Sequence, residues 1–576
     1  MRDFSKIPGE LKSRREILWI SAFALLCFFV LFHNLGGAAL FEPDEGRNAE
    51  VAREILLLKD WVTPHYDFIP YLDKPVFFYW LAALAYKLFG VSEWSARLPS
   101  ALAALGCVLL TYNLARTSLG VWGRLWSSLV LLTSPAFMVF SRATIFDMTL
   151  TFFITLALWG FYRGKNADGK AKRAFFHAMY SAMGGATLVK GPVGFVLPVM
   201  VIALYLILTK RWSILREMEL ARGIPVFLLI VAPWYLWVEL RNPGYLRYFL
   251  LEENLLRYLT PHFNRGRPWH YYVKVLAVGF FPWTALMYAP FLQITATLRD
   301  ERKIFLLLWL VVPLLFFSFS LAKHPGYILP IFPPLSVLTG EAIARMLSGP
   351  SAKARRLLSI PWLILLAVFS YFTLALFVPE LLPADLQERS PEVLPLIRQI
   401  SWPLIPLLLV LLVLGAAASL WTQPGIYYLV SCAFFSAFHL FGLGALGHIS
   451  QTRSSQHLAE KAVPLIRPGD QMVIYDDYLS SLPFYLRVKH PIWVVLPERK
   501  RSVIGSFYIA EKKPQPSLGS RNVVLSFEEF SEVWNQSPTR LLVFADEKRL
   551  PRLYQQVSVA PKRLLTVGGV ALVTNQ

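Results

Sequence analysis

The chain of 576 residues is too apolar for a soluble protein of several domains, because 55% of its residues are hydrophobic, 16% are charged and the mean hydropathy is +0.48. Its net charge of +20 would suit a nucleic-acid-binding protein, but lysine and arginine also accumulate in the cytoplasmic loops of membrane proteins, and we predict no nucleic-acid partner. The cysteines Cys27, Cys107 and Cys432 lie in apolar runs without CxxC spacing, which indicates neither a disulfide framework nor a thiolate metal site.

Apolar runs long enough to cross a bilayer begin with residues 17–32 and recur along the chain. Since the first run is a full span preceded by basic residues, we interpret it as an uncleaved transmembrane helix rather than a signal peptide. The pattern of runs and breakers predicts about 13 transmembrane helices in residues 1–446. Lysines and arginines cluster in alternate loops such as 163–173 and 345–356, which places the N-terminus in the cytoplasm and the C-terminus outside.

The first outer loop, residues 34–96, contains the acidic stretch FEPDEGRNAE, for which a solvated loop, a helix start and an acidic active site are the alternatives. The sequence from Asp44 predicts an amphipathic helix at the membrane surface. We expect Glu45 and Glu50 to lie on its solvated face. Asp44 is either a helix cap or a functional carboxylate, and Arg47, one turn later, favours the functional interpretation because it would keep Asp44 ionised.

The motif IPYLDKP in the same loop contains Tyr71, Asp73 and Lys74 and precedes an aromatic-rich stretch that predicts a second helix at headgroup level. Lys74 is either a lysine that extends along apolar surface to reach water or a phosphate ligand. Both alternatives place this lysine at the outer membrane surface.

Later outer segments add further charged and polar groups at the ends of predicted spans. Asp147 follows SRATIF at the mouth of a span, where an ion pair with Arg142 is the alternative to a functional role. The remaining candidates are Lys190 in VKGPVG, Arg257, His262 and Arg265 in the segment 252–272, and Tyr327 in HPGYILP. Basic residues on the face that the positive-inside rule disfavours indicate an anionic ligand, and phosphate is the anion that a membrane supplies.

Residues 447–576 have a different composition. The stretches GDQMVIYDD and HPIWVVLP predict short strands, and TRLLVFADEKRLPRLYQ predicts a strand followed by a helix. We therefore predict a small soluble α/β domain on the outer face. The chain contains no P-loop, GxGxxG or HExxH motif, so the sequence indicates neither a nucleotide site nor a zincin site.

The stretch from PDEGRNAEVAREILLLKDW through IPYLDKPVFFYW to SARLPSAL resembles the N-terminal signature of the bacterial aminoarabinose transferases, which are grouped with the protein O-mannosyltransferases among the GT-C glycosyltransferases. The resemblance continues in SRATIFDMTLTFF, LVKGPVGFVLP and KHPGYILPIFPPL. It implies a polytopic α-helical GT-C fold with juxtamembrane helices and a periplasmic C-terminal α/β domain. It also implies transfer of a sugar from a polyprenyl-phosphate donor to an acceptor outside the cytoplasm.

Transferred by motif, the resemblance makes Asp44 the catalytic carboxylate and adds Asp147 to the catalytic residues, where with Arg47 it would help to shape the sugar site. It assigns donor and substrate binding to the following residues: Arg47, Tyr71, Lys74, Lys190, Arg257, His262, Arg265 and Tyr327. The family motif has Glu where this chain has Asp73, and that carboxylate is associated with a metal, so a divalent metal on Asp73 and His448 is an open alternative.

The expected reaction is transfer of 4-amino-4-deoxy-L-arabinose to lipid A at the bacterial inner membrane, with the active site and the C-terminal domain in the periplasm. The alternatives are transfer of a hexose or mannose-type sugar to another surface glycan or protein, and transport of a lipid-linked sugar. A transporter should carry polar residues in the middle of its spans and show two related halves. The sequence instead places its charges at the span ends on one face, which favours an enzyme.

Overall fold

The structure, a computed structural model, describes residues 9–115, 119–260, 266–288, 300–349, 351–381, 404–421, 424–496 and 523–576. Its main helices are, in chain order, α1 Gly9–Phe32, α2 Asp44–Leu58, α3 Phe77–Phe89, α4 Glu93–Leu114, α5 Gly120–Leu132, α6 Pro135–Ser141, α7 Phe146–Lys165, α8 Gly169–Lys190, α9 Val193–Thr209, α10 Ser213–Glu217, α11 Leu220–Arg241, α12 Tyr271–Gly279, α13 Glu301–Phe319, α14 Phe332–Ser348, α15 Ala352–Phe377, α16 Ile405–Trp421, α17 Pro424–Thr452, α18 Gln456–Ala462, α19 Leu482–Leu486, α20 Phe527–Gln536 and α21 Leu550–Gln556. The strands are β1 His65–Tyr66, β2 Ile69–Pro70, β3 Gln471–Tyr475, β4 Trp493–Val495, β5 Val524–Leu525, β6 Leu541–Asp546, β7 Lys562–Val567 and β8 Val570–Thr574. A π-helix, Tyr248–Leu256, and a 3₁₀ helix, Pro325–Ile331, also matter for the candidate site.

The chain forms two compact units. The first unit, called the helical unit here, contains residues 1–35, 100–232 and 254–445. The second, called the mixed unit, contains residues 36–99, 233–253 and 446–576. The division into functional domains at residue 446 stays a prediction.

Long apolar helices dominate the membrane part of the sequence. Within the described residues, six helices are long and apolar enough to cross a membrane, or up to seven if the bent pair α5 and α6 forms one span. The angle between α5 and α6 is 68°, at a break before Pro135. The predicted number of 13 spans stays a prediction, because shorter apolar helices such as α9 and α16 are present as well.

Within the helical unit, α7 packs along α8, α5 along α14, and α15 along α16. The helix α7 begins at Phe146 and α8 ends at Lys190. Since the two helices follow each other in the chain as an antiparallel pair joined by a short turn, the start of α7 lies beside the end of α8. This pairing brings Asp147 next to Lys190.

The mixed unit is built on a six-stranded sheet with the order β5-β4-β3-β6-β8-β7. The four strands from β5 to β6 are parallel, and β8 and β7 add antiparallel pairs at one edge. Apolar side chains cover both faces, with Phe530 and Trp534 of α20 on one face and Leu458 of α18 on the other. The strands predicted in the C-terminal region are confirmed at β3, β4 and β6, and the predicted helix after β6 is α21.

The first outer loop shares its apolar cores with the C-terminal region of the mixed unit. Phe68 packs in the same buried cluster as Ile474 and Phe544 of the sheet. Ala49 of α2 and Ala82 of α3 pack in another cluster with Phe484 of α19. Residues 36–99 and 446–576 therefore fold around common cores rather than as separate pieces.

The expectation that Glu45 and Glu50 lie on a solvated helix face is wrong. Glu45 is buried and accepts hydrogen bonds from Arg97 Nε at 2.9 Å and Arg97 Nη2 at 2.8 Å. Glu50 is fully buried and accepts from Arg53 Nε at 2.7 Å and Arg53 Nη2 at 2.6 Å. Each carboxylate therefore accepts two hydrogen bonds from one arginine. These hydrogen bonds offset the free energy that the carboxylate loses when it is removed from water.

Candidate active site

Asp44 is the first residue of α2, and its carboxylate forms an ion pair with Arg47 one turn later. The helix cap itself is Pro43, and no side chain accepts a capping hydrogen bond there. The Asp44 side chain is 44% exposed whereas that of Arg47 is 12% exposed. Asp44 thus presents a solvent-accessible carboxylate whose charged form is stabilised by a nearly buried guanidinium.

Tyr71 lies beside this pair, with the Arg47 guanidinium 5.9 Å from the centroid of its ring. Burial raises the pKa of Tyr71 above its ordinary value, and Arg47 only partly opposes that shift. The phenol is therefore neutral at physiological pH and keeps its proton. Asp44, Arg47 and Tyr71 form the group that we call the outer-loop cluster.

Lys74 forms an ion pair with Glu253 of the π-helix, a carboxylate that is almost completely buried. Its ammonium also donates to the backbone carbonyl of Asp73 at 3.0 Å. The Asp73 carboxylate accepts from the hydroxyl of Tyr248 at 2.9 Å. A π-helix is rare and often marks a functional position. Here it provides the hydroxyl that binds Asp73 and the carboxylate that binds Lys74.

Asp147, in the first turn of α7, accepts a hydrogen bond from Lys190 Nζ at 2.6 Å. The exposed fractions are 7% for the Asp147 side chain and 14% for that of Lys190. Lys190 Nζ also lies 4.6 Å from the centroid of the Tyr327 ring, within cation–π range. Asp147, Lys190 and Tyr327 form the group that we call the helix-end cluster.

The 3₁₀ helix Pro325–Ile331 closes tightly over Asp147. A Cβ atom at Gly326 would lie 2.6 Å from Asp147 Cγ, so only glycine permits this approach. The Gly326 amide donates to His324 Nδ1 at 3.2 Å, and the hydroxyl of Tyr272 donates to the His324 carbonyl at 3.3 Å. These contacts fix the KHPGY segment against α7.

The other predicted residues have different settings. Arg142 donates to the carbonyls of Val30 and Leu31 at 3.0 and 3.2 Å and also to those of His33 and Asn34, so it holds the C-terminal end of α1. Arg257 begins a short helical turn after the π-helix. His262 and Arg265 lie outside the described residues. Their predicted roles in substrate binding stay predictions.

The metal alternative depends on the donor groups around Asp73 and His448. His448 lies near the end of α17, and Asp73 is buried. In the part of the chain that the structure describes, no group of three or more His, Cys, Asp or Glu side chains could hold a metal ion. The donor set does not fit a metal centre formed by protein ligands, so no step of the mechanism is assigned to a metal, and the role of Asp73 and His448 stays a prediction.

Two residues of this region were missed by sequence reasoning. Glu253 lies in the segment 252–272, whose basic residues drew attention, yet it is the buried partner of Lys74. Glu42 lies in the stretch FEPDEGRNAE and accepts hydrogen bonds from the C-terminal region. Local patterns give no signal for either, since the partners lie 179 and more than 400 residues away.

Comparison with known sequences shows the family. A family model described as dolichyl-phosphate-mannose-protein mannosyltransferase matches residues 73–237. Undecaprenyl phosphate-alpha-4-amino-4-deoxy-L-arabinose arabinosyl transferase 1 of Pseudomonas fluorescens is 34% identical over 428 residues, which are 71% of this chain and 74% of the relative. The chain belongs to this arabinosyl transferase family.

An undecaprenyl phosphate-alpha-4-amino-4-deoxy-L-arabinose arabinosyl transferase from Pseudomonas aeruginosa is also similar to this chain. The two are 32% identical over 353 residues, which are 60% of this chain. The match spans 62% of the length of that relative. The resemblance predicted from the sequence is thereby confirmed.

A solved structure confirms the fold. The crystal structure of ArnT from Cupriavidus metallidurans bound to undecaprenyl phosphate is similar with a TM-score of 0.82 and 26% identity, over 97% of this chain and 98% of that chain. The archaeal oligosaccharyltransferase AglB from Archaeoglobus fulgidus, with a TM-score of 0.50 and 12% identity, shares the fold alone. The protein is a membrane-embedded member of the transferase family with the predicted GT-C fold.

Proposed function

We propose that the protein transfers 4-amino-4-deoxy-L-arabinose from undecaprenyl phosphate to lipid A. The observation that carries the proposal is the helix-end cluster, in which a nearly buried Lys190 is held by Asp147 and Tyr327 at the ends of apolar helices. Charged side chains at the ends of apolar helices are costly to bury, and in membrane proteins they often mark substrate or ion sites. Membership in the arabinosyl transferase family supports phosphate-linked sugar transfer as the reaction that this cation serves.

The donor phosphate is the leaving group of the reaction. When the bond between the anomeric carbon and the phosphate oxygen breaks, its electron pair stays on the phosphate, which gains negative charge. Lys190 is a cation that would stabilise this charge, and it is already held by the carboxylate of Asp147. Cations fixed before the reaction need little reorganisation in the transition state.

Asp44 acts on the acceptor. A lipid A phosphate is ionised at physiological pH and attacks the anomeric carbon without a strong base, so a carboxylate there acts through charge and positioning. For a hydroxyl acceptor the same carboxylate would take the proton, and attack from the face opposite the leaving phosphate would invert the configuration. The 44% exposure of Asp44 supports either role because substrate can reach it.

The proposed setting is the bacterial inner membrane, with the N-terminus in the cytoplasm and both the active site and the C-terminal domain in the periplasm. The support is the positive-inside pattern of the loops. This orientation also agrees with a lipid-linked donor, because nucleotide sugars are cytoplasmic and no nucleotide motif is found in the sequence.

The test uses the purified full-length protein with undecaprenyl phosphate-linked aminoarabinose and lipid A, and follows the modified lipid A by mass spectrometry. We expect transfer by the wild type and loss of transfer in Lys190→Met. Absence of transfer by a folded wild type would contradict the proposal.

Transfer of a mannose-type sugar is the second candidate, favoured by the mannosyltransferase model that matches residues 73–237. A competition assay separates the two. If mannosyl phosphate lipid is consumed in preference to the aminoarabinose donor, the second candidate is correct.

A further inference from the structure

Glu42 precedes the proposed catalytic Asp44 by two residues and is the centre of a hydrogen-bond network within the mixed unit. Its Oε1 accepts from Ser455 Oγ at 2.6 Å, from Ser481 Oγ at 2.7 Å and from the Ser481 amide at 3.0 Å. Its Oε2 accepts from the Ser480 amide at 2.6 Å. Four donors on one carboxylate, two of them rigid backbone amides, define its position closely.

The backbone on either side of Glu42 is attached to the same region. The Glu42 amide donates to the Arg453 carbonyl at 2.9 Å. The Leu40 amide donates to the hydroxyl of Tyr485 at 2.8 Å, and the Ala39 amide donates to Ser450 Oγ at 3.0 Å. Backbone amides at positions 39, 40 and 42 are thus all satisfied by residues from the C-terminal part of the chain.

A residue of α4 also restrains the segment that precedes Asp44. Arg97 donates to the carbonyls of Ala38 at 2.7 Å and Ala39 at 2.9 Å while its guanidinium binds Glu45. Glu45 Oε2 in turn accepts from the Phe41 amide at 3.1 Å. The residues immediately before Asp44 are therefore restrained at almost every position, although they form no regular secondary structure.

The first turn of α2 also touches the serines directly. A Cβ atom at Gly46 would lie 2.6 Å from the Cα and the Cβ of Ser481. The close approach means that the start of α2 and the segment 480–481 can shift only together. The position of Asp44 therefore depends on where the C-terminal α/β region holds Ser480 and Ser481.

We propose that Glu42 is a positioning residue, and that the C-terminal α/β region places the catalytic carboxylate through the group formed by Glu42, Ser455, Ser480 and Ser481, which we call the serine clasp. The inference rests on the proposed function because it takes Asp44 as the reactive acid. Glu42 itself touches no substrate. It sets the direction from which Asp44 meets the acceptor.

The experiment compares two variants of the full-length protein in detergent. Glu42→Gln keeps the shape but places an NH₂ group against serine and amide donors. The matched control is Asp470→Asn, which alters a buried carboxylate of the same region that binds Arg540 at 3.1 Å and the Arg467 amide at 2.7 Å. Both variants weaken the mixed unit, but only the first changes the attachment of Asp44.

For Glu42→Gln we expect kcat to fall by about 10- to 100-fold with the KM for the donor within about twofold of wild type, because a misplaced acid loses transition-state contacts rather than donor binding. Glu42→Asp, which restores the acceptor oxygens, should recover part of kcat. Asp470→Asn should keep kcat within about twofold. Equal loss of kcat in Glu42→Gln and Asp470→Asn would overturn the proposal.

Amide hydrogen exchange provides a readout that does not depend on the reaction. In Glu42→Gln we expect the amides of residues 39–46 to exchange faster while those of β6 keep their protection. In Asp470→Asn we expect the amides of β6 to exchange faster while those of residues 39–46 keep their protection. Unchanged exchange of residues 39–46 in Glu42→Gln would overturn the clasp even if transfer fell. If the wild type transferred no sugar at all, the proposed function would fail, and the exchange data alone would decide whether the clasp exists.

Discussion

The outer-loop cluster of the mixed unit and the helix-end cluster of the helical unit contain the same chemical pair, a carboxylate with a cation, in two different settings. Asp44 is 44% exposed beside Arg47, whereas Asp147 is 7% exposed and bound to Lys190 at 2.6 Å. Each cluster also has a tyrosine ring near its cation, Tyr71 in the first and Tyr327 in the second.

The difference in exposure predicts that the two clusters contribute differently to the stability of the fold. An exposed carboxylate held by one arginine keeps its charge and stays accessible to substrate, so its loss should affect the reaction more than the fold. A buried ion pair satisfies two groups that water no longer hydrates, so loss of one partner should affect the fold as well. Substitutions in the outer-loop cluster should therefore lower activity alone, whereas those in the helix-end cluster should lower both activity and stability.

The largest effect is expected for Asp44→Asn. We expect transfer to fall by about 10²- to 10³-fold, the range for loss of one group that acts on the transition state through its charge, with little change in the midpoint of thermal unfolding. The control is Asp477→Asn, whose side chain is 50% exposed beside Arg549. Transfer by Asp44→Asn at the level of that control would remove Asp44 from the reaction.

The second prediction concerns the buried pair. Lys190→Met or Asp147→Asn alone should cost about 3–5 kcal/mol of stability, because each leaves a partner charged and buried. The double variant Asp147→Asn/Lys190→Met should regain most of that loss without regaining transfer. Thermal unfolding in detergent together with the transfer assay measures both quantities, and a double variant no more stable than the single ones would contradict the interpretation.

The third prediction concerns the buried carboxylate of Asp67. Asp67 is fully buried, accepts from the Ile492 amide at 2.8 Å, and its Oδ2 has no hydrogen-bond partner among the described residues. Burial, together with Glu50, raises the pKa of Asp67 to about 8. Burial likewise raises the pKa of Glu54, whose charged neighbours include Asp67.

The sign of the pH effect follows from the raised pKa of Asp67. Between its ordinary pKa of 3.8 and about 8, the folded protein holds a proton that the unfolded chain has lost, so the free energy of unfolding should fall as pH rises through that window. The slope is about 1.4 kcal/mol per pH unit for each such proton. Asp67→Asn should reduce the slope and be more stable than wild type at pH 8, as measured by denaturation from pH 5 to 9. The same slope in both proteins would show that Asp67 is ionised throughout.

The smallest effect is expected at Tyr71. Tyr71→Leu removes the ring that faces Arg47, which is worth about 0.5–1 kcal/mol, and should lower transfer about two- to fivefold. Tyr71→Phe keeps the ring and should stay within about twofold of wild type if the ring, rather than the hydroxyl, supports Arg47. The opposite order of the two variants in the transfer assay would assign the contribution to the hydroxyl.

Local sequence patterns were sufficient to predict the membrane class, the family, the α/β character of the C-terminal region and the members of the helix-end cluster. These features were accessible because they depend on local patterns, namely apolar runs, alternating strands and charges at span ends. Asp147, Lys190 and Tyr327 could be chosen since each stands where an apolar stretch ends on the same predicted face.

The three-dimensional fold was needed to show which carboxylates are buried and which donors bind them. Glu45 looks solvated in the sequence because its partner Arg97 is 52 residues away. The residues next to Glu42 in the sequence likewise do not reveal its serine donors, which are more than 400 residues away. Burial and pairing are produced by contacts between distant segments, and hydrophobic periodicity contains no information about such partners. For that reason the sequence could indicate Asp44 as the proposed reactive acid but could not indicate the serine clasp that we propose positions it.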